Sequence, residues 1–192
     1  MVQAILDCEG RSFAITDLAQ VAGDRLGRLP VIHRILLENV LRTAGEEAEP
    51  AAAAILAALD DPLAETEIPF LPGRILMHDT TCGPALVDIA GMRSALAEAG
   101  HDPNRLNPVL PVDVSTDHSV AVDAFGRPGA LAHNMAREYA RNAERYRFVK
   151  WATVALDRFR AHPPGTGIMH TLNLETLASV VSIAPRGGID WL

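Results

Sequence analysis

A chain of 192 residues with 48% apolar residues, 21% charged residues and two cysteines is not a disordered, collagen-like or disulfide-stapled protein. Its 17 basic and 24 acidic residues leave a net charge of −7, which argues against a surface built to collect nucleic-acid phosphates. Mean hydropathy is +0.11 and no unbroken apolar run reaches the roughly 18–20 residues of a bilayer span, so a soluble globular protein with a folded surface of about 8,900 Å² is expected.

The start, MVQAILDCEGRSF, places Asp7 and Glu9 where a signal peptide needs an apolar centre, and no basic segment precedes it. A cytoplasmic protein is expected. Residues 31–44 carry Ile32, Leu36 and Val40 on one helical face with Leu37 and Leu41 beside it; Pro30 suits the first turn and Gly45 the stop. The alanine-rich stretch 49–61 predicts a second helix. Residues 62–72, bounded by prolines, read as a connector. ILMHD at 75–79 predicts a short strand, followed by a helix with Pro84 near its first turn and Gly100 near its stop. The switch falls at Thr80–Gly83, where an open α/β sheet presents ligand groups. Residues 109–126 alternate around Val112, Val114, Val120 and Val122, interrupted by a polar segment at 116–119.

Residues 131–161 repeat apolar side chains every three or four positions and predict one long helix, bent or straight, stopped by His162-Pro163-Pro164-Gly165. GIMHT at 167–171 reads as a strand edge before a short helix starting near Asn173. Residues 185–192 show no periodicity, and the end looks abrupt. The expected organisation is a helical region over 1–70 and an α/β domain over 71–192, with three α/β/α layers.

Three segments place acid, imidazole or hydroxyl groups at the edge of an apolar run: His78-Asp79-Thr80-Thr81, Asp117-His118-Ser119 and Gly165 to His170. If the three edges converge they make a polar pocket suited to proton transfer at an oxygen atom, because imidazole is donor or acceptor near neutral pH. Asp117 can hold one tautomer of His118 if a turn brings them face to face. The competing readings stay open. Loop histidines also satisfy buried backbone groups. A transition-metal site is a further alternative, but no H-E-x-x-H pair or compact ligand spacing is present, and no metal ligand is assigned. Cys82 sits where helix-end amides can activate a thiol, yet a small buried hydrophobe is the first reading. The Arg141–Arg145 charges read first as a solvated face or i,i+4 pairs, and second as a site for a substrate anion. Gly165-Thr166-Gly167 lacks the length and lysine of a P-loop.

The same segments, in the same order, resemble the aconitase family, in its aconitase A and iron-regulatory-protein branch. The resemblance runs from about Leu29 to Val181 and rests on LPVIHRILLENVLR, EIPFLPGRILMHDTTCGPALVDIAGMR, NPVLPVDVSTDHSVAVD, RNAERYRFVKWA and PPGTGIMHTLNLETLA. It implies an α/β/α fold and a hydro-lyase that isomerises citrate-like hydroxy acids through an unsaturated intermediate at a [4Fe-4S] cluster. On that resemblance Asp117, His118 and His170 are catalytic, with His118 assisting hydroxyl departure, and His78, Asp79 and Ser119 contact substrate. Two positions depart from the aconitase pattern: His78-Asp79 stands where Gln-Asp is usual, and His170-Thr171 where His-Gln is usual. The first resembles the isopropylmalate-isomerase and homoaconitase branch and leaves the choice of hydroxy acid open.

The resemblance fades after Val181, before the family's Gly-Thr-Asp-Ser-His segment, cluster cysteines and swivelling domain. Cys8 and Cys82 fall short of a cluster ligand set, so the isolated chain is expected to bind no cluster and to be inactive alone. The leading expectation is a truncated or split hydro-lyase component that works with a separately encoded remainder or by self-association. The alternative is a non-catalytic interaction protein that keeps the first aconitase layer as a binding surface. A small hydroxy acid is the expected ligand, with no membrane and no nucleic-acid partner.

Overall fold

A computed structural model describes residues 3–61, 63, 65–116, 120–179 and 181–192. The chain divides into two units, one formed by residues 1–71 with 179–192 and the other by residues 72–178.

The first unit opens with an antiparallel hairpin of β1 (Gln3–Cys8) and β2 (Arg11–Thr16), in register from Gln3 opposite Thr16 to Cys8 opposite Arg11. The two turn residues, Glu9 (φ 49°) and Gly10 (φ 76°), both lie at positive φ, as the tight primed hairpin turn demands. Three helices follow: α1 (Leu18–Ala22), capped by the Asp17 carboxylate accepting from the amides of Ala19 and Gln20, then α2 (Val31–Thr43) and α3 (Ala48–Ala57). Leu37 and Val40 of α2 are fully buried against Ala51, Ala52, Ile55 and Leu56 of α3, and Leu29 closes the same core. The buried stripe is therefore rotated from the one expected: Ile32, in the first turn, is 57% exposed. Asn39 clasps the backbone of Leu71, donating to its carbonyl at 2.7 Å and accepting from its amide at 3.1 Å.

In the second unit, β3 (Ile75–His78) runs directly into α4 (Asp79–Glu98), and β4 (Val112–Ser115) pairs parallel to it. The stretch expected to be one long helix is instead α5 (Ala130–Arg141), α6 (Ala143–Ala155) and a third parallel strand, β5 (Phe159–His162). The apolar spacing continues in sequence through the break at Asn142 although Leu131 and Tyr139 of α5 are exposed, and Phe159 and Ala161 continue it by chance at strand spacing. The strand near 167–171 is likewise replaced: α7 (Met169–Leu172) passes into a wider helical turn over Asn173–Leu177, with Leu172 and Leu177 buried.

Sheet order is β3-β4-β5. Alternation along β4 sends Val112 and Val114 to one face, where they join Cys82, Leu86, Ala152, Leu156 and Phe159 in a core with α4 and α6. Asp113 and Ser115 go to the other face, where the Ser115 hydroxyl donates to the Gly167 carbonyl at 2.9 Å and α7 lies against β3 and β4. Helical structure thus flanks both faces of a parallel sheet, an α/β architecture. Buried Arg93 of α4 ties the helical side together, donating to the carbonyls of Ala155 (2.9 Å) and Leu106 (3.1 Å) and to Asn104 Oδ1 (2.5 Å).

Returning to the first unit, the last residues form β6 (Ala184–Arg186) and β7 (Ile189–Trp191) around Gly187-Gly188, both at positive φ. β7 pairs parallel to β2 through Ala14 and Trp191, giving the order β1-β2-β7-β6. Strands of three residues are too short to show the periodicity sought in the sequence, although the Gly-Gly pair is itself a hairpin signal.

Candidate functional site

The register aligns the C-terminal ends of all three parallel strands: His78 lies opposite Ser115, and Ser115 opposite His162. This edge is where an α/β sheet offers ligand groups, because strands end and helices begin there.

His78 ends β3 with extended backbone (φ −89°, ψ 160°) and is the residue before the first turn of α4. Its ring is half-buried, and Nδ1 is hydrogen-bonded to the Thr80 hydroxyl; Thr81 Oγ1 lies 3.5 Å from the same nitrogen and donates to the His78 carbonyl at 3.0 Å. The next residue, Asp79, is 4% exposed, and its carboxylate accepts from Arg145 of α6 at 2.6 Å. A carboxylate in the first turn of α4 also complements the helix dipole. The pair ties α4 to α6 through the residue expected to contact substrate. In the Arg141–Arg145 run, Arg141 pairs with Asp123, donating to Oδ2 at 2.8 Å, and Arg145 with Asp79.

Arg145→Ala is expected to cost about 1–2 kcal/mol, reduced from a fully buried pair because the guanidinium is 40% exposed. It should also speed hydrogen exchange at the amides of residues 80–82; unchanged exchange would show that the pair does not hold the turn.

Asp117, His118 and Ser119 lie outside the described residues. The chain on either side of them is anchored. Thr116 binds the His162 carbonyl through its amide (3.3 Å) and its hydroxyl (3.2 Å). Downstream, Asn134 accepts from the amides of Asp123 (3.1 Å) and Ala124 (2.9 Å) and donates to the Ala124 carbonyl. The Arg141 hydrogen bond, against a smaller opposing effect of burial, lowers the Asp123 carboxyl below its ordinary range.

His170 is exposed on α7. The loop before it is held at the sheet edge by the Ser115 to Gly167 bond and by the Thr166 hydroxyl donating to the Pro163 carbonyl at 2.7 Å. Gly167 is at φ 137°, and a Cβ there would sit 3.2 Å from Thr171 Oγ1, so this turn needs glycine. His78 and Asp79 share an edge with the loop that leads to His170.

Three features at or beside this edge were missed in the sequence. Asp113, fully buried in β4, accepts from His162 Nε2 (2.9 Å) and Arg160 (2.9 Å), with Arg74 at 3.5 Å. Burial pushes its carboxyl up, but the hydrogen bonds and charges of Arg160 and His162 outweigh it, and the net shift is downward. Glu138 of α5, 3% exposed, accepts from the Tyr146 hydroxyl (2.8 Å) and the Asn142 amide (2.9 Å). Burial and this carboxylate raise Tyr146 strongly, so it stays a neutral donor. Beside His162, a cleft of about 330 Å³ is lined by Thr116, Tyr139, Tyr146, Lys150 and Pro163 among others. The one sequence signal for Asp113 was a charge inside an apolar strand. A cavity of about 810 Å³ lies in the first unit beside α2 and α3, and none of the expected site residues line it.

Neither cysteine suits a cluster ligand. Cys82 is fully buried and its thiol is pushed up to about 11 by burial and by the Asp79 charge, so it is protonated near neutral pH and packs as a small hydrophobe. Cys8 is exposed on β1 in the other unit, and among the described residues no group of three His, Cys, Asp or Glu side chains gathers to hold a metal. The residues present do not fit a [4Fe-4S] site by themselves. Among the described residues, no helix is long and apolar enough to cross a membrane.

A parallel α/β sheet whose strand ends gather imidazole, carboxylate and hydroxyl groups defines the class of protein. The aconitase family model, described as aconitate hydratase, matches residues 53–187, and the chain belongs to that family. It is 46% identical over 166 residues to the aconitate hydratase A of Deinococcus radiodurans, covering 86% of this chain and 18% of that protein. Identity to the aconitate hydratase A of Rickettsia typhi is 43% over 176 residues (90% of this chain, 20% of that protein). For that of Staphylococcus aureus it is 41% over 195 residues (95% and 21%). The chain spans about a fifth of the length of the curated relatives it matches.

Proposed function

We propose that the chain forms part of the hydroxy-acid site of an aconitase-like hydro-lyase acting on a citrate-like substrate. The observation that carries this reading is the sheet edge, where His78, the first turn of α4, Thr116 and the loop leading to His170 all meet strand ends within the stretch matched by the family. In this reading Asp117, His118 and His170 are catalytic, with His118 giving a proton to the departing hydroxyl and Asp117 holding its tautomer, and His78, Asp79 and Ser119 contact the substrate. Hydroxide leaves only when its charge is neutralised, so a proton donor within hydrogen-bond reach is the contribution these residues make. Asp79 also keeps the α4 turn in place through Arg145.

The [4Fe-4S] chemistry of the family is not carried by these cysteines. The chain alone is therefore expected to bind hydroxy acids without turning them over. The deciding experiment combines the chain with a cluster-bearing remainder of an aconitase-family protein and follows conversion of citrate, cis-aconitate and isopropylmalate. Turnover that falls by about 10²-fold or more in His118→Ala and His170→Ala supports the reading. A purified complex that holds iron and leaves all three acids unchanged overturns it.

A second reading, a non-catalytic interaction protein, is favoured by the exposed surface. Phe125, Leu131, Val154 and Leu174 are each more than 70% exposed. Covering that surface by a partner or a second copy predicts self-association or complex formation in light scattering; a clean monomer that binds no apolar dye would exclude it. Under either reading the chain acts in the cytoplasm.

A further inference from the structure

We propose that Thr80 fixes the tautomer of His78, donating its hydroxyl proton to Nδ1 so that the ring presents Nε2–H, a neutral donor, to a ligand oxygen. The inference deepens the reading of His78 as a substrate contact and rests on that reading for its ligand alone.

The ring hangs from the last residue of β3, and its Nδ1 side is occupied by the turn that follows. Thr80 is bonded to Nδ1, and Thr81 Oγ1 lies 3.5 Å away. Each hydroxyl has one proton to give. That of Thr81 goes to the His78 carbonyl at 3.0 Å, so Thr81 offers the ring no donor. Among the described residues, the Thr80 hydroxyl has Nδ1 as its hydrogen-bond partner. The Asp79 carboxylate, the nearest acid in sequence, is buried and paired with Arg145 rather than bonded to the imidazole. With Nδ1 accepting, the ring proton sits on Nε2, the nitrogen left to meet a ligand.

The chemistry fits an oxygen-rich anion. A neutral Nε2–H donates one hydrogen bond to a carboxylate or hydroxyl oxygen. It does so without a cation and, unlike an amide, has no carbonyl of its own to oppose the ligand's charge. Thr80 is then a positioning residue that acts through His78, and this pair sets which hydroxy-acid oxygens the edge accepts.

Long-range ¹H–¹⁵N spectra of the histidine side chains, recorded on the whole chain at alkaline pH with His78 assigned from His78→Asn, test this directly. Wild type and Thr80→Ser are expected to show the Nε2–H pattern for His78. Thr80→Val, which keeps the shape and removes the hydroxyl, should move the two nitrogen resonances toward each other as the tautomers mix. A wild-type Nδ1–H pattern, or Thr80→Val resonances identical to wild type in a folded chain, overturns the proposal. Adding citrate, cis-aconitate or isopropylmalate separates the two levels. A shift at His78 Nε2 supports its role as a substrate contact. An Nε2–H tautomer that no hydroxy acid perturbs sinks that contact while leaving the Thr80 assignment intact.

Discussion

Asp113→Asn is expected to lower the stability of the second unit by about 2–3 kcal/mol at neutral pH, the largest loss from any single charge in the sheet. The carboxylate is fully buried and holds Arg160, Arg74 and His162. Removing its charge leaves two guanidinium groups, one from each side of β4, without the carboxylate between them. The figure sits below the usual cost of breaking a buried pair because Arg160 is 63% exposed and water screens its share. The effect also depends on pH. The Asp113 carboxyl titrates lower in the folded chain than in the unfolded one, where about 3.9 is ordinary. Between those two values the unfolded chain binds more protons, so the stabilisation is fully present above about pH 4 and is lost as pH falls through the folded value. Denaturant unfolding at pH 7 and at pH 3 should therefore show a large gap between wild type and variant that narrows in acid. An equal gap at both pH values would mean that the charge is not what holds the site edge.

This cluster also marks where sequence reading stopped. The strand at 75–78, its switch into α4 and the helix at 31–43 were legible because an apolar run, a proline and a glycine stop punctuate them in the expected order. The α/β class followed from those elements. β1 was not legible: four of its last five residues are exposed and the other is half-exposed at most, so no alternation reports the strand, and only the Glu9-Gly10 turn hints at it. β5 was absorbed into a helical pattern because Phe159 and Ala161 extend the α6 stripe while the break at Asn142 uses neither glycine nor proline.

The polar network was hidden for a different reason. Arg145 and Asp79 are 66 residues apart, and Arg160 and Asp113 are 47 apart. Local spacing reports which residues share an element's face; it carries no information on which distant charge meets which. For the same reason His162 passed as the end of a helix, although its ring bonds to Asp113 and its carbonyl takes both bonds from Thr116, holding the strand that leads to Asp117 and His118. His78 was legible as a candidate, but its partner on Nδ1 depends on how a helical turn brings residue 80 back over residue 78, which residue spacing alone does not fix.

Leu86→Ala is the second large effect, expected to cost about 3–4 kcal/mol, toward the upper part of the range for buried leucines. Leu86 is 1% exposed on α4 and packs with Val112, Leu156 and Phe159, so the side chain joins the helix to two strands of the sheet. A cavity of about 230 Å³ already lies against it, lined by Met77, Ile89 and Phe159. Truncation enlarges that space rather than opening a new one. Strand residues Ile75, Val112 and Phe159 line it together with α4, and in a close-packed interior the lost contacts are only partly recovered. Val154→Ala, at a residue 78% exposed on α6, removes two methyl groups from water and should stay within about 0.5 kcal/mol. Denaturant unfolding of both variants with an unchanged m-value is the measurement. A loss below about 1 kcal/mol at Leu86 would mean that α4 does not depend on this contact to lie on the sheet, and the position of its first turn beneath His78 would need another cause. If the loss is large, the same packing that holds the helix also fixes the edge on which the histidine stands.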